Sequence, residues 1–250
     1  MSAYDVNRDA LSAAVSAGIA DSTTRQIDDT FSNCDYLFLC APVQKNDSNL
    51  AAVKKIISSS CILTDVGSVK TTIHEAVRAA GLENQFIGGH PMAGREVSGY
   101  KASDADLYRG ASMLLVPTEA STPEIVKQVK AMFSQIGFGQ LVITTPEHHD
   151  RMIAYTSQLC HVVSSAYIKS PSELEHKGYS GGSYRDLTRV AYLNETMWTE
   201  LFIENKQALV PEIDEIIHHL TEYRDAIAGE DADTLFQLLK EGRQRKEQFG

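Results

Sequence analysis

A histidine set between glycines is the first feature of this sequence that could do chemistry. In the run Ile87-Gly88-Gly89-His90-Pro91-Met92-Ala93-Gly94-Arg95-Glu96, the glycines permit close backbone approach to a ligand, and an imidazole titrating near neutral pH suits proton transfer. Pro91 is expected to end a strand, leaving His90 on a glycine-rich turn; a packed core histidine would carry the same letters. A second run, Thr64-Asp65-Val66-Gly67-Ser68-Val69-Lys70, follows an apolar strand and opens a helix. Free backbone N–H groups there, with the Ser68 hydroxyl, can address an anion or a carbonyl. An Asp-Gly turn with Ser68 as helix cap has the same sequence.

Three further segments add polar groups. Ser157 and His161 lie four apart on one helix face, and Asp150 falls seven before Ser157, near the same stripe. No additional ligand at suitable spacing accompanies them, so no metal site is expected. In Gly181-Gly182-Ser183-Tyr184-Arg185-Asp186-Leu187-Thr188-Arg189, Asp186 and Arg189 present a carboxylate and a guanidinium on one face, the pattern also of a surface ion pair. Near the start, Ala3-Tyr4-Asp5 reads as a short strand ending in a carboxylate, followed by a helix through Ala10 to Ala17. In a dinucleotide-binding fold such a carboxylate accepts ribose hydroxyls; in any other context it is an ordinary turn residue. The matching Gly-x-Gly-x-x-Gly loop should stand roughly 20 residues earlier, and four residues precede Asp5.

The elements that must position these groups fall into two sets. Up to residue 145, apolar runs at Tyr36–Cys40, Cys61–Thr64, Gln85–Ile87, Ser112–Val116 and Gln140–Ile143 alternate with helical periodicity at Asn49–Ile57, Thr71–Ala80 and Pro123–Ile136. That alternation predicts an α/β domain over 1–145, an incomplete Rossmann-like parallel sheet lacking its first strand and glycine loop. Residues 146–250 read as all-helical, with helices over about 146–168, 183–203, 205–228 and 231–247. The 250 residues carry a formal charge of -10, which argues against nucleic-acid or membrane-surface partners, both polyanionic. The four cysteines form no C-x-x-C pair, and buried thiols in a reducing cytoplasm are expected.

Taken together, and in this order along almost the whole chain, Asp65-Val-Gly-Ser68-Val-Lys70, Gly88-Gly-His90-Pro-Met-Ala-Gly94, Ser157 with His161, Asp186 to Arg189, and Met197-Trp198 resemble the prephenate dehydrogenase family. The resemblance implies oxidative decarboxylation of prephenate to 4-hydroxyphenylpyruvate, with NAD as cofactor. It implies His90 and Ser68 as catalytic residues, and Arg189, His161, Ser157, Arg95 and Glu96 around the substrate. It implies Asp5, Pro42, Asp65, Gly67 and Ser68 along the cofactor, and a homodimer built through the helical half. Arg95 stands where the family commonly has Ser or Thr, and its charge predicts preference for prephenate over the ammonium-bearing arogenate. Cys160 stands where a proline often precedes the helix histidine. Two alternatives accompany this reading: an arogenate dehydrogenase, and a non-catalytic dimeric relic that binds substrate but not NAD.

Overall fold

The structure is a computed structural model, and it describes residues 1–95 and 99–249. The chain opens with β1 (Ser2–Tyr4), α1 (Arg8–Ser16) and β2 (Ser22–Thr24), a short crossover whose two strands pair in parallel with Ser2 opposite Ser22. Asn7 starts α1, its side chain accepting the N–H groups of Asp9 and Ala10.

A five-stranded sheet follows, in the spatial order β3 (Tyr36–Leu39), β4 (Ile62–Asp65), β5 (Phe86–Pro91), β6 (Ser112–Pro117) and β7 (Gln140–Ile143). All neighbours run parallel except β5 and β6. Adjacent residues of one strand serve opposite faces, which is why these strands read as continuous apolar runs. Leu63 and Phe86 pack with Leu39, Leu50, Ile73 and Val77 beneath α2 (Asn46–Val53) and α3 (Thr71–Ala80). Their neighbours Ile62 and Ile87 pack with Met113, Leu115, Val129 and Phe133 beneath α4 (Pro123–Ile136). Among the described residues β1 and β2 form a sheet of their own, and β3 is the edge of the larger one.

The second half is helical, as its periodicity predicts, with two departures. The first long helix is α5 (Pro146–Ile153) and α6 (Leu159–Tyr167) joined by a π turn at Ala154–Gln158. The expected helix over 183–203 is instead α7 (Gly182–Thr188), a 3-10 turn at Arg189–Ala191 and α8 (Glu195–Glu204). Asn194 causes the break: its side chain accepts the Met197 N–H at 3.1 Å and starts a new helix. α9 (Lys206–Ala228) and α10 (Ala232–Phe249) complete the chain. Ala154, Leu159 and Leu209 form this half's buried centre, with Phe202, Ile213 and Ile216 against it. Among the described residues no helix is long and apolar enough to cross a membrane. Of the cysteines only Cys61 is buried, while Cys40 and Cys160 are exposed.

Candidate active site

The C-terminal ends of three parallel strands meet along one edge. Leu39 lies opposite Asp65 and Thr64 opposite Ile87, so the chain after β3, the loop after β4 and His90 in β5 come level there. His90 lies within β5 rather than on a turn beyond it, paired across to Leu114. The strand continues because Gly88 and Gly89 let it press against β4. A Cβ on Gly89 would stand 2.5 Å from the Asp65 carbonyl oxygen, and one on Gly88 would stand 2.8 Å from His74 Nε2.

Buried electrostatics fix the loop after β4. Asp65 accepts Lys70 Nζ at 2.5 Å, Gly67 N at 2.9 Å and Gly89 N at 3.0 Å. Its carboxylate is thereby spent inside the protein, so Asp65 reaches a cofactor only by shaping Gly67 and Ser68. Two of the expected free N–H groups at the start of α3 are likewise taken. Lys70 N and Thr71 N donate at 2.7 and 2.8 Å to the carboxylate of Asp150, which arrives from α5. Asp150 therefore caps α3 from the other half of the chain, and Ser68 does not.

That carboxylate also begins a chain of rings. His149 Nδ1 lies 2.7 Å from Asp150 Oδ1, and His149 Nε2 lies 2.9 Å from His90 Nδ1. His149 is 1 % exposed and Asp150 4 %. Among the described residues no protein group bonds the remaining His90 nitrogen, Nε2, which is not shut away from solvent. Burial above all, with the Lys70 charge beside it, pushes His90 down to about 3. The imidazole is thus neutral across the physiological range rather than titrating near pH 7. Burial opposes ionisation of Asp150, but the bonds from His149, Thr71 and Lys70 together hold its carboxyl below the usual range.

In the helical half, His161 Nδ1 donates to the Ser157 carbonyl at 2.9 Å, and its ring lies on Trp198 with centroids 3.9 Å apart. The chain from residue 1 to 150 matches the family model described as prephenate dehydrogenase, nucleotide-binding domain. Residues 145–241 match prephenate dehydrogenase, dimerization domain. The chain belongs to the prephenate dehydrogenase family. It is 31% identical over 98% of its length to a cyclohexadienyl dehydrogenase of Zymomonas mobilis, covering 86% of that protein. A solved structure of A. aeolicus prephenate dehydrogenase with hydroxyphenyl propionate and NAD+ superposes with a TM-score of 0.87 at 31% identity, over 100% of this chain and 88% of that one. Synechocystis arogenate dehydrogenase superposes with a TM-score of 0.85 at 26% identity, over 100% of this chain and 91% of the other. These relatives are dehydrogenases, and the reading as a non-catalytic relic finds no support among them.

Within this prephenate dehydrogenase fold, the residues singled out from sequence do not all converge. Asp5 ends β1 as expected, half-buried, with one oxygen accepting Asn7 N at 2.8 Å. Pro42 and Gly67 stand at the ends of β3 and β4. Arg95 is not an isolated cation: its guanidinium donates to Asp104 at 2.5 Å. Arg189 is exposed and opens the 3-10 turn after α7. Glu96 lies outside the described residues. Asp150 does not share a stripe with Ser157, because the π turn between them shifts the helix face. His149 adjoins Asp150 in sequence, but nothing local signals its role, because its partner His90 lies 59 residues away.

The residues present fit the two ends of a dinucleotide. Asp5, at the end of a strand that turns straight into α1, suits ribose hydroxyls. Pro42, Gly67 and Ser68, level with His90, suit the nicotinamide end.

Proposed function

We propose that this chain is an NAD-dependent dehydrogenase of prephenate, releasing CO2 and 4-hydroxyphenylpyruvate. The observation carrying this reading is His90: a buried, neutral imidazole with one nitrogen tied to His149 and the other open, level with the Gly67–Ser68 loop. NAD, when bound, supplies the hydride acceptor. The chain's own task is to orient the ring and take a proton from the 4-hydroxyl. His90 Nε2 accepts that hydrogen bond, and an anionic substrate beside it raises the imidazole's affinity for the proton. Ser68 donates to or accepts from the same hydroxyl. Arg189, permanently charged and forked, binds a substrate carboxylate, with Ser157 and His161 lining that side.

Residues 1–145 form the cofactor domain in this reading, and 146–250 the substrate and dimerisation domain of a cytoplasmic homodimer. The Arg95–Asp104 pair favours a second activity. A neutralised Arg95 repels an ammonium weakly, so arogenate is accepted as a poorer substrate. The test is NADH formation by the purified chain with each substrate. Turnover of prephenate ahead of arogenate is expected; NADH from neither, or from a simple hydroxyacid instead, overturns the reading.

A further inference from the structure

His149 and Asp150 stand behind His90 without facing the cleft themselves. Both are buried, and every side-chain polar atom of the pair has an identified partner. Asp150 Oδ1 takes His149 Nδ1 and Lys70 N, while Oδ2 takes Thr71 N. Its backbone carbonyl also accepts Asn205 Nδ2 at 2.9 Å, and the same amide donates to Gln158 Oε1 at 2.7 Å. The carboxylate therefore has little freedom to turn, and α5 is held on both sides.

Donors and acceptors along the chain can be assigned in sequence. An ionised carboxylate only accepts, so His149 Nδ1 must carry a hydrogen. Charge on a buried ring is costly, so a His149 ring that carries its hydrogen on Nδ1 keeps none on Nε2, which accepts. His90 Nδ1, 2.9 Å away, must then be the donor. The last nitrogen, His90 Nε2, is left unprotonated on the open side. A histidine side chain in water favours the opposite tautomer, with hydrogen on Nε2, so the arrangement works against the ring's own preference.

We propose that His149 and Asp150 are positioning residues which hold His90 as the Nδ1–H tautomer, keeping Nε2 as the proton acceptor of the site. The tautomer itself is independent of substrate; its catalytic value rests on the proposed dehydrogenation of prephenate. When Nε2 takes a hydroxyl proton, the O–H bond breaks and an Nε2–H bond forms. The resulting imidazolium keeps its Nδ1–H bond to His149, and the Asp150 carboxylate behind it offsets the new charge. No other group need gain or lose a proton.

The test begins with the full chain carrying 15N-histidine. Two-bond 1H–15N correlation should give His90 a protonated Nδ1 and an unprotonated Nε2. A protonated His90 Nε2 in the unsubstituted protein would overturn the assignment. His149→Leu should shift His90 toward the Nε2–H form, and an unchanged tautomer there would also overturn it. Kinetics with prephenate and NAD then read the consequence. His149→Leu should lower kcat on the order of 10²-fold, within the usual worth of a general base, with KM little changed. His149→Gln, whose side-chain oxygen can still accept from His90, should recover at least about tenfold of that loss. Equal loss in Leu and Gln variants that melt like the parent would overturn the positioning role. The expected tautomer in a protein that never reduces NAD with prephenate would support the assignment and sink the proposed substrate.

Discussion

Lys70 and Asp65 form an ion pair from which water is excluded, with the lysine side chain 0 % exposed and the aspartate 4 %. Breaking such a pair from one side leaves an uncompensated charge in the interior, at a cost of about 3–5 kcal/mol. Lys70→Met should therefore lower the unfolding free energy measured in urea by that much, and adding Asp65→Asn should return part of it. A single variant as stable as the parent would mean that solvent reaches Asp65 after all.

Acid should destabilise the protein before its carboxylates titrate. Burial holds His74 down to about 4 and His90 down to about 3 in the fold, against about 6.5 in the unfolded chain. Between those values the unfolded state binds more protons, so stability rises with pH through the window and is lost as pH falls from about 6.5 toward 3. Urea midpoints should fall between about pH 7 and pH 5, and His74→Leu should flatten part of the slope. A flat profile over that range would contradict the burial argument.

Asp104 is expected to govern the choice between the two related substrates. The Arg95–Asp104 side chains are 44 % and 42 % exposed, so the effect is modest. Asp104→Ala frees the Arg95 charge and should lower kcat/KM for arogenate relative to prephenate by roughly two- to fivefold, less so at high salt. An equal change for both substrates would assign Asp104 to loop structure instead.

The helical half should self-associate. Leu201 and Leu209 of its apolar stripes are buried, but Ile217 and Leu220 are 55 % and 59 % exposed on α9, with Ile203 and Ile227 exposed nearby in sequence. Apolar surface of this kind is expected to be covered by a second copy. Light scattering should give twice the chain mass, and joint Ile217→Glu and Leu220→Glu should halve it. A parent protein that scatters as a single chain would refute the dimer.

How much of the fold and site is legible in the sequence depends on how far each signal reaches along the chain. The five strands of the larger sheet are readable as continuous apolar runs, the central ones because both their faces are covered, and His90 because glycines flank it. Asn194, a local cap, is readable in principle and was missed. The roles of Asp65 and Asp150 are not: each looks like a ligand-facing carboxylate until the fold delivers Lys70 to one and the start of α3 to the other. His149 is hidden for the same reason. Arg95 looks like a free cation because nothing in its own run announces Asp104.

The π turn at Ala154–Gln158 takes up one more residue than a regular helical turn holds. Successive helical residues advance by about 100°, so the wide turn sets the angular phase between α5 on one side and α6 on the other. Upstream, His149 meets His90 of the sheet; at the end of the turn Gln158 meets Asn205, and beyond it His161 lies on Trp198. Deleting one residue of the turn would close it to a regular spiral of nearly the same phase, whereas a deletion within α5 or α6 would swing the far contacts by about 100°. Substitutions at Tyr155 and Thr156, both exposed, leave that phase intact. In homologous chains that keep both sets of contacts, a one-residue difference in count between Asp150 and His161 is thus expected to fall at this turn.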